Sequence, residues 1–139
     1  MYKVMFLCTG NACRSQMAEA FARELGGGLI EAYSAGLMAV DMHPNTVSAM
    51  QECGIDISGY RSKEIDPEFL DEMDAVVTLC KPVEFFGPRT HPKVERFYRP
   101  IIAPVSKGVP AEVIMQDFRR TREEIRVVIE ELIKEINKW

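Results

Sequence analysis

Two hydrophobic periods alternate along the chain. Short apolar runs at Lys3 to Leu7, Leu29 to Tyr33, Ala75 to Leu79 and Val94 to Tyr98 have the length and β-branched or aromatic content of strands. Between them the apolar positions recur every three to four residues. Met17, Ala18, Phe21, Ala22 and Leu25 follow a capping Ser15 and stop at Gly26-Gly27-Gly28. A second helix starts at Pro44, where a missing N–H costs nothing, and ends before Gly54. A third runs from Asp66-Pro67 to about Met73 with Asp66 as its N-cap. The last begins near Pro110 or Ala111. Its stripe of Ile114, Phe118, Ile125, Val128, Ile129, Leu132, Ile133 and Ile136 predicts a face turned to the core. Strands alternating with helices predict an α/β fold around a parallel sheet.

One stretch fits neither period. Lys81 to Lys93, with Pro82, Pro88 and Pro92, follows a strand end, where α/β proteins carry functional loops, and is expected to be irregular and lid-like. With 139 residues, 47% of them apolar, the chain suits one domain around one core. A formal net charge of −4 argues against nucleic acid or an anionic membrane as partner, so any anion must be caught locally. The first apolar run stops at Cys8 without a cleavage-site pattern, and no run approaches the ~18 residues that cross a bilayer. A cytoplasmic protein is expected, without structural disulfides among Cys8, Cys13, Cys53 and Cys80.

The candidate chemistry lies in Cys8-Thr9-Gly10-Asn11-Ala12-Cys13-Arg14-Ser15, between the first strand and the first helix. Backbone N–H groups of such a loop can converge on an anion at a helix N-terminus. Gly10 lets the backbone curl, and Asn11 tolerates a left-handed conformation while bracing the loop with its amide. Arg14 supplies a planar fork for two oxygens of a phosphate-like group, and its field favours a Cys8 thiolate. Ser15 can donate to the Cys8 sulfur. Thr9, Gly10, Asn11, Ala12, Cys13 and Arg14 are the expected oxyanion binders, and the set describes nucleophilic attack on a tetrahedral centre.

Running on through Gln16-Met17-Ala18-Glu19, this loop resembles that of the low-molecular-weight protein tyrosine phosphatase superfamily, in its thioredoxin-coupled arsenate reductase branch. Tyr33-Ser34-Ala35-Gly36, Gly54-Ile55-Asp56-Ile57-Ser58, Val76-Val77-Thr78-Leu79-Cys80 and Phe118 to Ile125 extend the likeness over nearly the whole chain. It implies a flavodoxin-like three-layer sandwich whose four-stranded parallel sheet has the order 2-1-3-4. Cys80 separates the branches. Adjacent first and third strands lie about 5 Å apart, so a second thiol can approach Cys8. Cys8 would displace water or hydroxide from arsenate, and Cys80 would then attack the Cys8 sulfur, releasing arsenite and leaving a disulfide. The catalytic set is therefore Cys8, Arg14, Ser15 and Cys80.

Three departures qualify the resemblance. The branch carries a third Cys shortly after the second, but Lys81-Pro82-Val83-Glu84-Phe85-Phe86-Gly87-Pro88 has none, so an external thiol (thioredoxin, glutaredoxin or a small thiol) is expected to act directly. Cys13 reads either as a partner for a protective disulfide with Cys8 or as an inert thiol, and Cys53 reads as core. The family's general-acid Asp precedes a Pro; counting back from Phe118 puts Gly108-Val109-Pro110-Ala111 there, without an acid, and Glu112 and Asp117 read as surface charges. Such an acid is commonly worth ~100-fold or more. Some relatives bind potassium through Asn, Glu, Ser and Asp. Asn11, Glu19 and Ser34 match, whereas Lys63 replaces the Asp, so an ammonium is expected in place of the ion.

No cofactor is expected. His43 before Pro44 and His91 in a proline-rich loop lack metal-site spacing, so no metal is expected either. Two other functions compete with arsenate reduction: a weak phosphatase acting on tyrosyl or small aryl phosphates, and a non-catalytic oxyanion-binding or redox-sensing module.

Overall fold

The computed structural model describes residues 1–137. Strand β1 (Tyr2–Cys8) is central, with Val4 to Cys8 all buried, as expected of a parallel strand covered on both faces. It pairs in parallel with β2 (Ile30–Gly36) and with β3 (Ala75–Thr78), which pairs in turn with β4 (Glu95–Tyr98). The order β2-β1-β3-β4 is the one the resemblance implied. β2 runs past Tyr33 because Ser34, Ala35 and Gly36 keep register with Phe6, Leu7 and Cys8, although none is a strong strand former.

Helix α1 (Arg14–Gly26) links β1 to β2. Helices α2 (Pro44–Gln51) and α3 (Pro67–Leu70) precede β3, and Asp66 caps α3 by accepting from Glu68 N at 3.0 Å. The stretch after β3 opens as a helix, α4 (Lys81–Phe86), not as the irregular loop expected from its prolines. Pro82 sits in the first turn, where a proline starts a helix instead of breaking it. Right-handed crossovers running in opposite directions along the sheet put α1 and α4 on opposite faces.

The 26-residue helix α5 (Ala111–Ile136) returns against α1 and α2. Phe118, Ile125, Ile129, Leu132 and Ile136 are buried, while Ile114, Val128 and Ile133 pack at the edge of the same core. The expected stripe therefore faces inward. Both α1 and the functional loop consequently start at the carboxyl edge of the central strand, where parallel sheets present their sites.

Candidate active site

Each carbonyl from Cys8 to Cys13 is turned outward and accepts a hydrogen bond. Leu37, Met38, Val40 and His43 N–H groups donate to the oxygens of Cys8, Thr9, Gly10 and Ala12 over 2.9 to 3.3 Å. Gln16 Nε2 and Ser62 Oγ donate to Asn11 O, and Met17 N to Cys13 O. In a trans peptide the N–H points away from its C=O, and there are no cis bonds among the described residues. The N–H groups of residues 9–14 therefore face the concave side, an arrangement that can hold a tetrahedral oxyanion.

Asn11 is the residue that takes the left-handed turn, at φ 53°, and it is wholly buried. Its Oδ1 accepts from Gln16 Nε2 (3.1 Å) and Lys63 N (2.9 Å), and its Nδ2 donates to Ser15 Oγ (2.7 Å). Gly10 serves another need: a Cβ there would meet Val40 Cγ2 at 3.1 Å. Gly36 is tighter still, since its Cβ would lie 2.7 Å from Asn11 N and from Thr9 O.

Buried Cys8 has its Sγ 2.8 Å from Ser15 Oγ. Asn11 Nδ2 fills one lone pair of that hydroxyl, leaving its hydrogen free to meet a thiolate. Ser15 does not cap the helix as expected; α1 begins at Arg14 with Cys13 at the cap position and no side-chain capping bond. The serine is committed to the sulfur instead. Arg14 Nη1 donates to Ile101 O at 2.9 Å, which pins the guanidinium by one edge and leaves other N–H groups of the fork unspent on that bond. Cys13 keeps its proton, because enclosure of the thiol pushes its pKa up to about 12 against a smaller opposing hydrogen bond with Thr46.

Cys80 stands at the N-terminus of α4, buried, with Sγ 3.3 Å from Thr9 Oγ1. One hydroxyl thus links the second thiol to the residue next to Cys8. All four cysteines are free thiols. Cys53 lies just beyond the far end of α2, about ten residues from the end that touches the loop, roughly 15 Å along a helix axis. Arg126 Nη2 donates to its sulfur at 3.2 Å.

A cavity of about 260 Å³ lies over the loop. Its walls include Cys8, Arg14, Val40, His43, Ala103 and Phe118. The proline beside this cavity is Pro104, preceded by Ala103, and Val109-Pro110 is not part of its wall. Neither proline is preceded by an acid: Ala103 stands before Pro104 and Val109 before Pro110. Asp117 accepts from Val105 N at 2.8 Å and pairs with Arg120 at 2.9 Å. Arg120 first, and the Val105 N–H second, hold its carboxyl below the usual range, so it fastens the loop to α5.

Glu19, Ser34 and Lys63, which fall at the potassium-binding pattern's positions, also gather, with one difference from expectation. Buried Glu19 accepts from Ser34 Oγ at 2.6 Å and is neutralised by Arg23 Nη2 at 2.6 Å. The Lys63 ammonium, held below its ordinary value mainly by burial, lies in the field of Glu19 but donates to Arg61 O at 2.7 Å. Among the described residues no group of three or more metal-ligating side chains is present. His43, read from sequence as a helix-start residue, lines the cavity; no local pattern could reveal this, because its neighbours there come from distant segments.

A cysteine at the base of an oxyanion-shaped loop, on a 2-1-3-4 parallel sheet, defines a class of phosphatase-like enzymes that attack tetrahedral centres through sulfur. Residues 3–139 match the low molecular weight phosphotyrosine protein phosphatase family, and the chain belongs to it. Arsenate reductases of Brevibacillus brevis and Bacillus subtilis are 42% and 43% identical to it over 122 residues, which is 88% of this chain and 87% and 88% of theirs. A thioredoxin-dependent arsenate reductase of Corynebacterium glutamicum superposes with a TM-score of 0.81 at 25% identity; the match covers 99% of this chain but 62% of that one. An arginine phosphatase from Geobacillus stearothermophilus superposes at 0.78 with 25% identity, covering 99% and 94% of the two chains.

Proposed function

We propose that this chain is an arsenate reductase. The observation that carries the reading is the 3.3 Å contact between Thr9 Oγ1 and Cys80 Sγ, which sets a second thiol beside the loop that presents Cys8. Arsenate sits against the N–H groups of residues 9–14 and the Arg14 fork. Cys8 Sγ bonds to arsenic as an As–O bond breaks, and the oxygen leaves as hydroxide or, with a proton, as water. Cys80 Sγ then attacks Cys8 Sγ. The S–As electron pair passes to arsenic, so As(V) becomes As(III), arsenite departs, and Cys8 and Cys80 are left as a disulfide. Ser15 supports the Cys8 sulfur while it is anionic.

An external dithiol or pair of thiols returns two electrons and two protons to that disulfide. Thioredoxin is the reductant of choice by likeness to the Corynebacterium protein, with direct attack on Cys8–Cys80 because no third cysteine follows Cys80. The chain works as one domain in the cytoplasm; no helix among its described residues is long and apolar enough to cross a membrane. Phosphatase activity, suggested by the arginine phosphatase likeness, is residual because Ala103 cannot protonate a leaving alkoxide. Arsenite release in the presence of thioredoxin, its reductase and NADPH tests the reading. Release should be lost in Cys8→Ser; release unchanged by that substitution would refute the mechanism.

A further inference from the structure

The cavity wall that carries Ala103 has no acid, and its side-chain donor, Ser106, is exposed on a loop held by few bonds. The opposite wall, between β2 and α2, carries Asp41 and His43. Asp41 brings acceptor oxygens where an oxyanion needs donors. Cys13, also in the wall, offers only a weak S–H donor.

His43 is built differently. Its Nδ1 accepts the Asn45 N–H at 3.1 Å, so Nδ1 carries the lone pair and the proton of the neutral ring is on Nε2. Its own N–H donates to Ala12 O at 3.3 Å, and Thr46 Oγ1 donates to the same carbonyl at 3.1 Å, which ties this end of α2 to the oxyanion loop. The ring lies against Phe118, centroids 4.7 Å apart at 35°, and Phe118 is itself buried in the same wall. Backbone, ring face and Nδ1 are thus all engaged, and Nε2–H is the polar group left for the cavity.

We infer that His43 is a substrate-binding residue that donates a hydrogen bond from Nε2 to the bound oxyanion, supplying from the β2–α2 wall a donor fixed in place by the fold, which the exposed Ser106 of the Ala103 wall is not. The inference rests on reading the Cys8–Arg14 loop as the oxyanion site. With Nδ1 accepting from Asn45 N, the ring donates from Nε2. It stabilises the charge that develops on the oxygen as S–As forms and As–O breaks, and the proton that makes this oxygen water comes from the arsenate itself.

His43→Asn separates this role from helix capping, because an Asn side-chain oxygen caps a helix start as well as any residue but carries no N–H at the position of Nε2. The first-turnover rate of arsenate-driven thiol loss in His43→Asn should fall about ten- to hundredfold, with the melting temperature unchanged. A wild-type rate in a folded His43→Asn would overturn the inference. Imidazole 15N–1H spectra of the protein titrated with inorganic phosphate give a second readout that does not depend on turnover or on the variant folding. They should show an Nε2–H tautomer whose resonance moves on saturation. A Nδ1–H tautomer, or a resonance indifferent to bound phosphate, would also overturn it. Failure of the reductase reading would appear separately, as wild-type protein that binds phosphate but loses no thiols to arsenate.

Discussion

The two loops that enclose the cavity are made in opposite ways. From Cys8 to Cys13 every carbonyl is bonded, Asn11 is wholly buried, and the neighbouring segment Leu37 to His43 runs alongside to bind the loop's outer edge. From Ile102 to Pro110 nearly every residue is exposed. That loop is fastened by only a few bonds, chiefly Val105 N to Asp117 and Arg120 to Ile102 O. The first loop is braced against displacement, whereas the second is exposed and has Ala103, with no acidic group, before Pro104. Rigidity is concentrated where preorganised N–H groups must meet charge.

That contrast is most readily broken at Gly36. Its replacement by Ala drives a Cβ to 2.7 Å from two backbone atoms of the oxyanion loop, with no flexible side chain to give way. Gly36→Ala should lower stability by about 3 kcal/mol and abolish phosphate protection of Cys8 against alkylation. Thermal melts and alkylation kinetics measure both. Any substitution of comparable size in the exposed loop, such as Ser106→Val, should cost no more than about 0.5 kcal/mol.

The opposite loop can be sharpened instead. Ala103→Asp places a carboxyl beside Pro104 at the cavity wall and should raise Cys8-dependent hydrolysis of an aryl phosphate by about ten- to a hundredfold. Stability should barely change, because the position is exposed. Steady-state hydrolysis near pH 6, compared with Cys8→Ser in the same background, provides the check. An Ala103→Asp variant no better than its parent would mean that the loop does not approach the leaving group.

The smallest effect expected concerns the clamp between α2 and α5. Hydrogen bonds from Arg119, then from Arg122, bring the Glu52 carboxyl down to about 2 from 4.5. A depressed folded-state value means that its contribution is present above about pH 4.5 and is lost as pH falls toward 2. Glu52 is exposed, so the contribution is small and screened by salt. The difference in melting temperature between wild type and Glu52→Gln should shrink across that acid window and at high salt.

Legibility in the sequence followed the same division. The Cys8–Arg14 loop is local: its glycine, Asn11, Arg14 and flanking strand and helix lie within one short span, and the structure brings all of them together. Strands β1 to β3 were legible because they are largely buried and mostly apolar, while the exposed edge strand β4 was marked by Val94, Phe97 and Tyr98. Helix α4 was not, since three prolines read as a loop until Pro82 is seen in a first turn. Pro104 was missed because nothing local distinguishes it from Pro110; only the cavity does. His43 was hidden for a related reason. A histidine before a proline looks like any helix start, and its contact with Phe118, 75 residues away in sequence, exists only in three dimensions.

The central claim is that Cys8 takes the oxyanion and Cys80 resolves it. Intact-protein mass spectrometry with thiol counting, on fully reduced protein given excess arsenate and no reductant, tests it most directly. The account predicts that wild type loses two thiols, mapping to a Cys8–Cys80 disulfide, whereas Cys80→Ser forms no disulfide and loses at most the Cys8 thiol, masked as its arsenate adduct. An unchanged thiol count in wild type, or a disulfide that still forms on Cys8 in Cys80→Ser, would contradict it.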